Sequence, residues 1–176
     1  MKNERMGIAT SVLLVIIVIV GAAAAGAYVV LTREGGESGG ETGGGGGGVG
    51  SASSLSYTVD VTPQGYETVT YTFKIKDIGQ ATVRYRIEWT SGGFPTVLIV
   101  NRAENKVWMR VGEMEWMDMS SQMNWQSYTA SAEQYRTRLQ NWVSGDYTYT
   151  DPNGTRVRIY NIQVNPSLPD SLFTPD

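Results

Sequence analysis

Within nineteen residues, Val107 to Trp125, the chain places Trp108, Met109, Met114, Trp116, Met117, Met119, Met123 and Trp125. Methionine is flexible and polarizable, and tryptophan joins a large apolar face to a single donor. The mixture suits a cavity for apolar ligands of variable shape, acyl chains among them. It equally suits the seam between a helix and a sheet in a domain that needs bulk to fill its core. With residues from neighbouring elements, the candidate hydrophobic pocket comprises Phe73, Trp89, Trp108, Met109, Trp116, Met117, Met123, Trp125, Tyr135 and Trp142.

Other reactive constellations are sparse. Histidine and cysteine are both absent, which removes Ser-His-Asp triads, Cys-His pairs, disulfides and the standard zinc sites. Glu113, Glu115 and Asp118 resemble a metal or acid-base group, but in a strand the first two share a face and the third lies opposite, as on a solvated edge. Asp151 and Asn153 look like part of a calcium loop that lacks its closing glutamate, so the turn reading prevails. Asn153-Gly154-Thr155 is an N-glycosylation sequon on an expected turn. No metal site, no cofactor motif and no enzymatic mechanism is expected.

Net charge is -3, and from Leu55 onward eleven Lys and Arg stand against thirteen Asp and Glu, so no basic surface for nucleic acid is advertised. From Ile8 to Leu31 the chain carries no charge at all. As a helix this stretch would span about 36 Å against a hydrocarbon core of about 30 Å. Lys2 and Arg5 precede it, while Arg33 is followed by Glu34, Glu37 and Glu41, a bias that leaves the N-terminus cytoplasmic. A cleaved signal peptide with its h-region at Val12–Val20, and a prepilin-type cleavage near Gly7, are the competing readings of the same residues. The expected organisation is a cytoplasmic N-terminus (1–6), a transmembrane helix (7–32), a Gly-rich flexible linker (33–54) and an extracytoplasmic domain (55–176). The linker's reach is about 25 Å.

The elements that must position the aromatic residues follow from periodicity. Tyr71, Phe73 and Ile75 alternate with Thr72, Lys74 and Lys76, and Val83, Tyr85, Ile87 and Trp89 alternate with Arg84, Arg86 and Glu88, two half-buried strands joined at Asp77–Gly79. Ser91-Gly92-Gly93 turns the chain into Phe94–Arg102, apolar on both faces over Val97–Val100. Strands at Lys106–Val111 and Met114–Asp118 follow. Over Ser120–Ser144 the period changes: Trp125, Tyr128, Ala132, Tyr135, Leu139 and Trp142 recur at three and four, a helix that should lie across one face of the sheet. Asp146–Thr150 and Thr155–Val164 form a last hairpin, and the proline-rich end Asn165–Asp176 should run extended over the surface, pinned by Leu168, Leu172 and Phe173.

Three features resemble the LolA/LppX-like superfamily of periplasmic lipoprotein carriers. They are the strands Tyr71–Lys76 and Thr82–Trp89, the segment Val97–Met109 with its LIVNRAENKVWM run, and the ending Asn161–Phe173 with Asn165-Pro166 and Leu168-Pro169-Asp170-Ser171-Leu172-Phe173. The resemblance covers roughly residues 66–173 and implies an incomplete, curved barrel enclosing a lipid cavity. This chain departs from it in having one covering helix and a protein anchor. The expected fold class is therefore α+β: an N-terminal transmembrane helix plus a curved antiparallel half-barrel with one main covering helix.

The leading functional expectation is a membrane-anchored, extracytoplasmic domain that binds a lipid or other hydrophobic ligand, in lipid or lipoprotein trafficking or envelope maintenance. The alternative is a cell-surface structural or protein-interaction module, pilin-like or an accessory subunit of a membrane complex, with a membrane or envelope protein as partner.

Overall fold

The structure, a computed structural model, describes residues 48–122 and 124–176. Eight strands follow one another: β1 (Ser54–Thr62), β2 (Val69–Lys76), β3 (Arg84–Ser91), β4 (Phe94–Asn101), β5 (Lys106–Val111), β6 (Met117–Asp118), β7 (Tyr147–Thr150) and β8 (Arg156–Val164). A single helix, α1 (Trp125–Arg138), separates β6 from β7. All strands belong to one antiparallel sheet in the order β6-β5-β4-β3-β2-β1-β8-β7. The β3–β4 connection shows how locally the register is set. Gly92 and Gly93 both take positive φ, 57° and 82°, and join the paired residues Ser91 and Phe94 in a two-residue turn. Only such φ values match the twist of the flanking strands.

Alternation along paired strands divides the sheet into two faces. Leu55, Tyr57 and Val59 of β1, Phe73 and Ile75 of β2, Tyr85 and Ile87 of β3, Leu98 and Val100 of β4, and Val107 and Met109 of β5 share the inner face and are buried. Helix α1 covers this face. Asn124 caps it, its side chain accepting from Ser127 N–H, and Ala132, Tyr135 and Leu139 are its buried stripe with Tyr128. The Tyr57 hydroxyl donates to the Ala132 carbonyl at 2.8 Å, and the Tyr85 hydroxyl donates to Glu133 at 2.9 Å. Tyr57 and Phe73 stack at 5.0 Å, and Tyr135 meets Phe73 edge-on at 5.6 Å.

The outer face carries Lys74, Lys76, Arg84, Arg86 and Glu88, and the C-terminal tail lies across it. Asn165 sets the tail's direction: it takes φ +55°, and its side-chain oxygen accepts from Ser53 N–H and hydroxyl. Asparagine tolerates that left-handed backbone better than most residues. A short 3₁₀ turn, Asp170–Phe173, then buries Phe173 completely, with the Arg84 guanidinium 5.5 Å from its ring centre. Lys76 donates to the Leu168 carbonyl, Arg86 to the Leu172 carbonyl, and Arg110 to Asp176.

The expected α+β class is corrected. Eight strands and one fourteen-residue helix make a predominantly β domain, and the sheet is open, with β6 and β7 as its two edges. The helix is shorter than expected because the Asn124 cap starts it late and its last turn closes at Leu139. The transmembrane helix expected over 7–32, the segment before it and most of the linker lie outside the described residues. Among the described residues no helix is long and apolar enough to cross a membrane. Within the expected linker, Val49 is fully buried and the backbone at Gly48 and Gly50 approaches the Gln140 carbonyl.

Replacing Tyr57 with Phe removes the buried hydroxyl that ties sheet to helix. It should cost about 1 kcal/mol and lower Tm by about 4 °C, read by thermal unfolding in circular dichroism; an unchanged Tm would show the bond to be dispensable. Acid should loosen the tail before the sheet. The Lys76 ammonium, then Arg84, hold the Asp170 carboxyl below its ordinary range. Because the folded-state value is depressed, this contribution is intact above the ordinary carboxylate pKa and is lost as pH falls through the lower folded value. Amide protection factors, corrected for the intrinsic pH dependence of exchange, should therefore fall across residues 168–176 at acid pH while β2 and β3 stay protected, and equal loss in both would refute the local account.

Candidate functional site

Because the strands are antiparallel, four connections meet at one end of the sheet: β1–β2, β3–β4, β5–β6 and β7–β8. Three of them present a large apolar side chain to solvent. Tyr66 is 76% exposed, Phe94 62% and Met114 48%. Each exposure has a backbone cause. Tyr66 closes a turn by donating its N–H to the Pro63 carbonyl, Met114 does the same to Val111, and Phe94 leaves the Gly92-Gly93 turn beside Gly112. These connections are two strand spacings apart, so the three positions succeed one another along this end in steps of about 10 Å. The turn at Asp151–Thr155 continues the same rim: Gly154 packs so closely on Gln64 that a Cβ there would sit 2.9 Å from its amide oxygen.

The four connections at this end, residues 63–68, 92–93, 112–116 and 151–155, contain Glu67, Glu113, Glu115 and Asp151 and no Lys or Arg, and Arg156, the first residue of β8, stands exposed beside them opposite Thr62. An apolar row rimmed by carboxylates repels anionic lipid and attracts cationic surfaces. Asp118, close by, is committed elsewhere: Lys106 and Ser120 hold its carboxyl well below the ordinary range. Among the described residues no group of three or more metal-ligating side chains is gathered. Asn153 is exposed in its turn, its N–H donating to Asp151.

The sheet divides the ten residues of the expected pocket. Phe73, Trp89, Met109, Met117 and Tyr135 lie on the inner face. Trp108 lies on the outer face, and Trp116 there donates its indole N–H to Asp176 and stacks beneath Arg110 at 4.6 Å. Trp125 sits at the start of α1 against Arg102, and Trp142 lies beyond its end, bonded to the Gly145 carbonyl. Met123 lies outside the described residues. Side chains on opposite faces of one open sheet cannot line one chamber, so the ten do not form a single pocket.

The inner-face group keeps its own chemistry. Tyr71 stands 6.2 Å from Trp89, and both are half-buried beside Tyr135. Burial pushes the Tyr135 and Tyr71 hydroxyls up. The indole nitrogen of Trp89 and Nε of Arg138 are buried and have no partner among the described residues. Sequence reasoning missed the exposed row altogether. Its signal was present, a bulky apolar residue within two positions of a turn glycine: Gly65-Tyr66, Gly93-Phe94, Gly112-Glu113-Met114.

If Phe94 is displayed rather than structural, Phe94→Ser should change stability by no more than about 0.5 kcal/mol in chemical denaturation. A loss of several times that would place its ring in the core. No protein-family model, no curated protein and no solved structure matches this chain.

Proposed function

We propose that the domain is a non-enzymatic interaction module of the cell surface, which presents the Tyr66–Phe94–Met114 end to a protein partner bearing apolar and cationic side chains. The supporting observation is that, among the described residues, three of the four exposed large hydrophobic side chains stand at or beside successive connections at one end of the sheet. Scattered exposed apolar residues are ordinary, whereas an aligned group marks contact surfaces. The acidic rim narrows the partner by charge complementarity. Strand β1 begins and β8 ends at the opposite end, where Ser54 pairs with Lys76 and Leu55 with Val164, and the tail that follows returns along the outer face to Trp116.

A second reading, binding of a small apolar ligand, is favoured by the buried indole nitrogen of Trp89, which has no partner among the described residues and lies against Tyr71 on the inner face. A ligand with one acceptor group and an apolar body would satisfy it. Native mass spectrometry of protein purified from its own membranes would reveal such a passenger.

Site-specific photo-crosslinking in the native cell separates the interaction reading from a merely structural one. A crosslinking residue at position 66, 94 or 114 should give one common adduct, weakened by salt, while positions 80 and 104 at the other end of the sheet should give none. Adducts of equal yield from both ends, or none from the row, would remove this reading.

A further inference from the structure

We propose that the outer face of β2–β5 is a recognition channel for an acidic peptide segment anchored by phenylalanine, and that the tail after β8 of a second copy of this chain occupies it in exchange for the chain's own. The chemistry that fits the channel is visible in its present occupant. From Leu168 to Asp176 the tail forms no strand pairing with the sheet among the described residues; side chains of the sheet hold it instead. Lys76 donates to the Leu168 carbonyl at 2.8 Å and Arg86 to the Leu172 carbonyl at 3.0 Å. Lys76 and Arg84 grip the Asp170 carboxylate at 2.6 and 2.9 Å, and Arg110 and Trp116 grip that of Asp176. Phe173 fills the space between them and is fully buried.

Each of these holds reads a carbonyl, a carboxylate or a ring, and none reads the covalent link to β8. A peptide of the same sequence arriving from another molecule meets the same donors. Two further observations favour exchange. Only Pro166 and Ser167 separate the Asn165 pin from Leu168, and short hinges of this kind invite swapping between copies. Asp170 and Asp176 are 72% and 75% exposed, so a competitor can displace the ion pairs one at a time. Reciprocal exchange gives a closed two-fold pair. The channel shares no residue with the Tyr66–Phe94–Met114 row, so the two proposals stand independently.

The test uses a fluorescent peptide of residues 166–176 (PSLPDSLFTPD) and the full chain. Asp170→Asn with Asp176→Asn weakens the resident tail at exposed positions and leaves Phe173 in place. That variant should bind the unmodified peptide about tenfold more tightly than the unaltered chain does, by fluorescence anisotropy, since its own tail competes less. A peptide carrying Phe173→Ala should bind neither. If the variant unfolds cooperatively yet gains no affinity, the channel proposal is overturned; Lys76→Ala in the same background, which removes a sheet donor, should abolish the gain. At high concentration, light scattering of the unaltered chain should detect a dimer that excess peptide dissociates. Peptide binding with a dimer indifferent to the peptide, or with no dimer, would overturn the second copy as occupant.

Discussion

The bond from the Tyr57 hydroxyl to the Ala132 carbonyl fixes how this domain is put together. Tyr57 is fully buried in β1, an interior strand of the sheet, and a phenol in that position is costly unless its hydroxyl finds an acceptor. Burial pushes its ionisation far up, with Glu133 adding to the effect, so the group acts only as a neutral donor. The acceptor is a helix carbonyl, which sets where α1 crosses the sheet. Tyr85, reaching Glu133, which is itself paired to Arg136, adds a second tie one residue further along the helix. Phe73, Tyr135 and Leu139 then pack around a geometry that hydrogen bonding has already restricted.

The two sides of the sheet are covered by different physics. The inner face is apolar and takes a helix. The outer face over β2 and β3 is a field of long cations, balanced by Glu88, Asp77 and the tail's Asp170. Burial alone would raise the ionisation of Glu88, but Arg86 and Lys74 outweigh it and keep the carboxylate charged. Ile99 of β4 is fully buried on this polar side, in the strand that the 3₁₀ turn of the tail approaches. That accounts for β4 being apolar on both faces.

The rim at the far end is what remains uncovered once helix and tail have taken the two faces. Its turns are built by glycines and a proline, and those backbone choices leave Tyr66, Phe94 and Met114 without a neighbour to bury them. The carboxylates in these connections give the rim a chemical character that neither covered face shares.

Much of this was legible in the sequence. Alternation of Tyr71, Phe73 and Ile75 with Thr72, Lys74 and Lys76 gives β2 and its faces, Gly92-Gly93 gives the tight turn, and Lys106–Val111 is read to the residue. The helical spacing from Trp125 to Leu139 gives α1, because period and capping are local properties of the chain. Which covers met which face was not legible. β1 and β8 pair across about a hundred residues, and their register, with a shift between Ser56 and Thr58 near Asn161, makes β1 an interior strand flanked on both sides. The division of the nine described aromatic and thioether residues between two faces and two helix ends rests on such pairing and packing. Sequence determined the period of each element and thus which side chains travel together; only tertiary structure decided what each set would touch, because contacts between distant segments are fixed by packing and not by the order of neighbours.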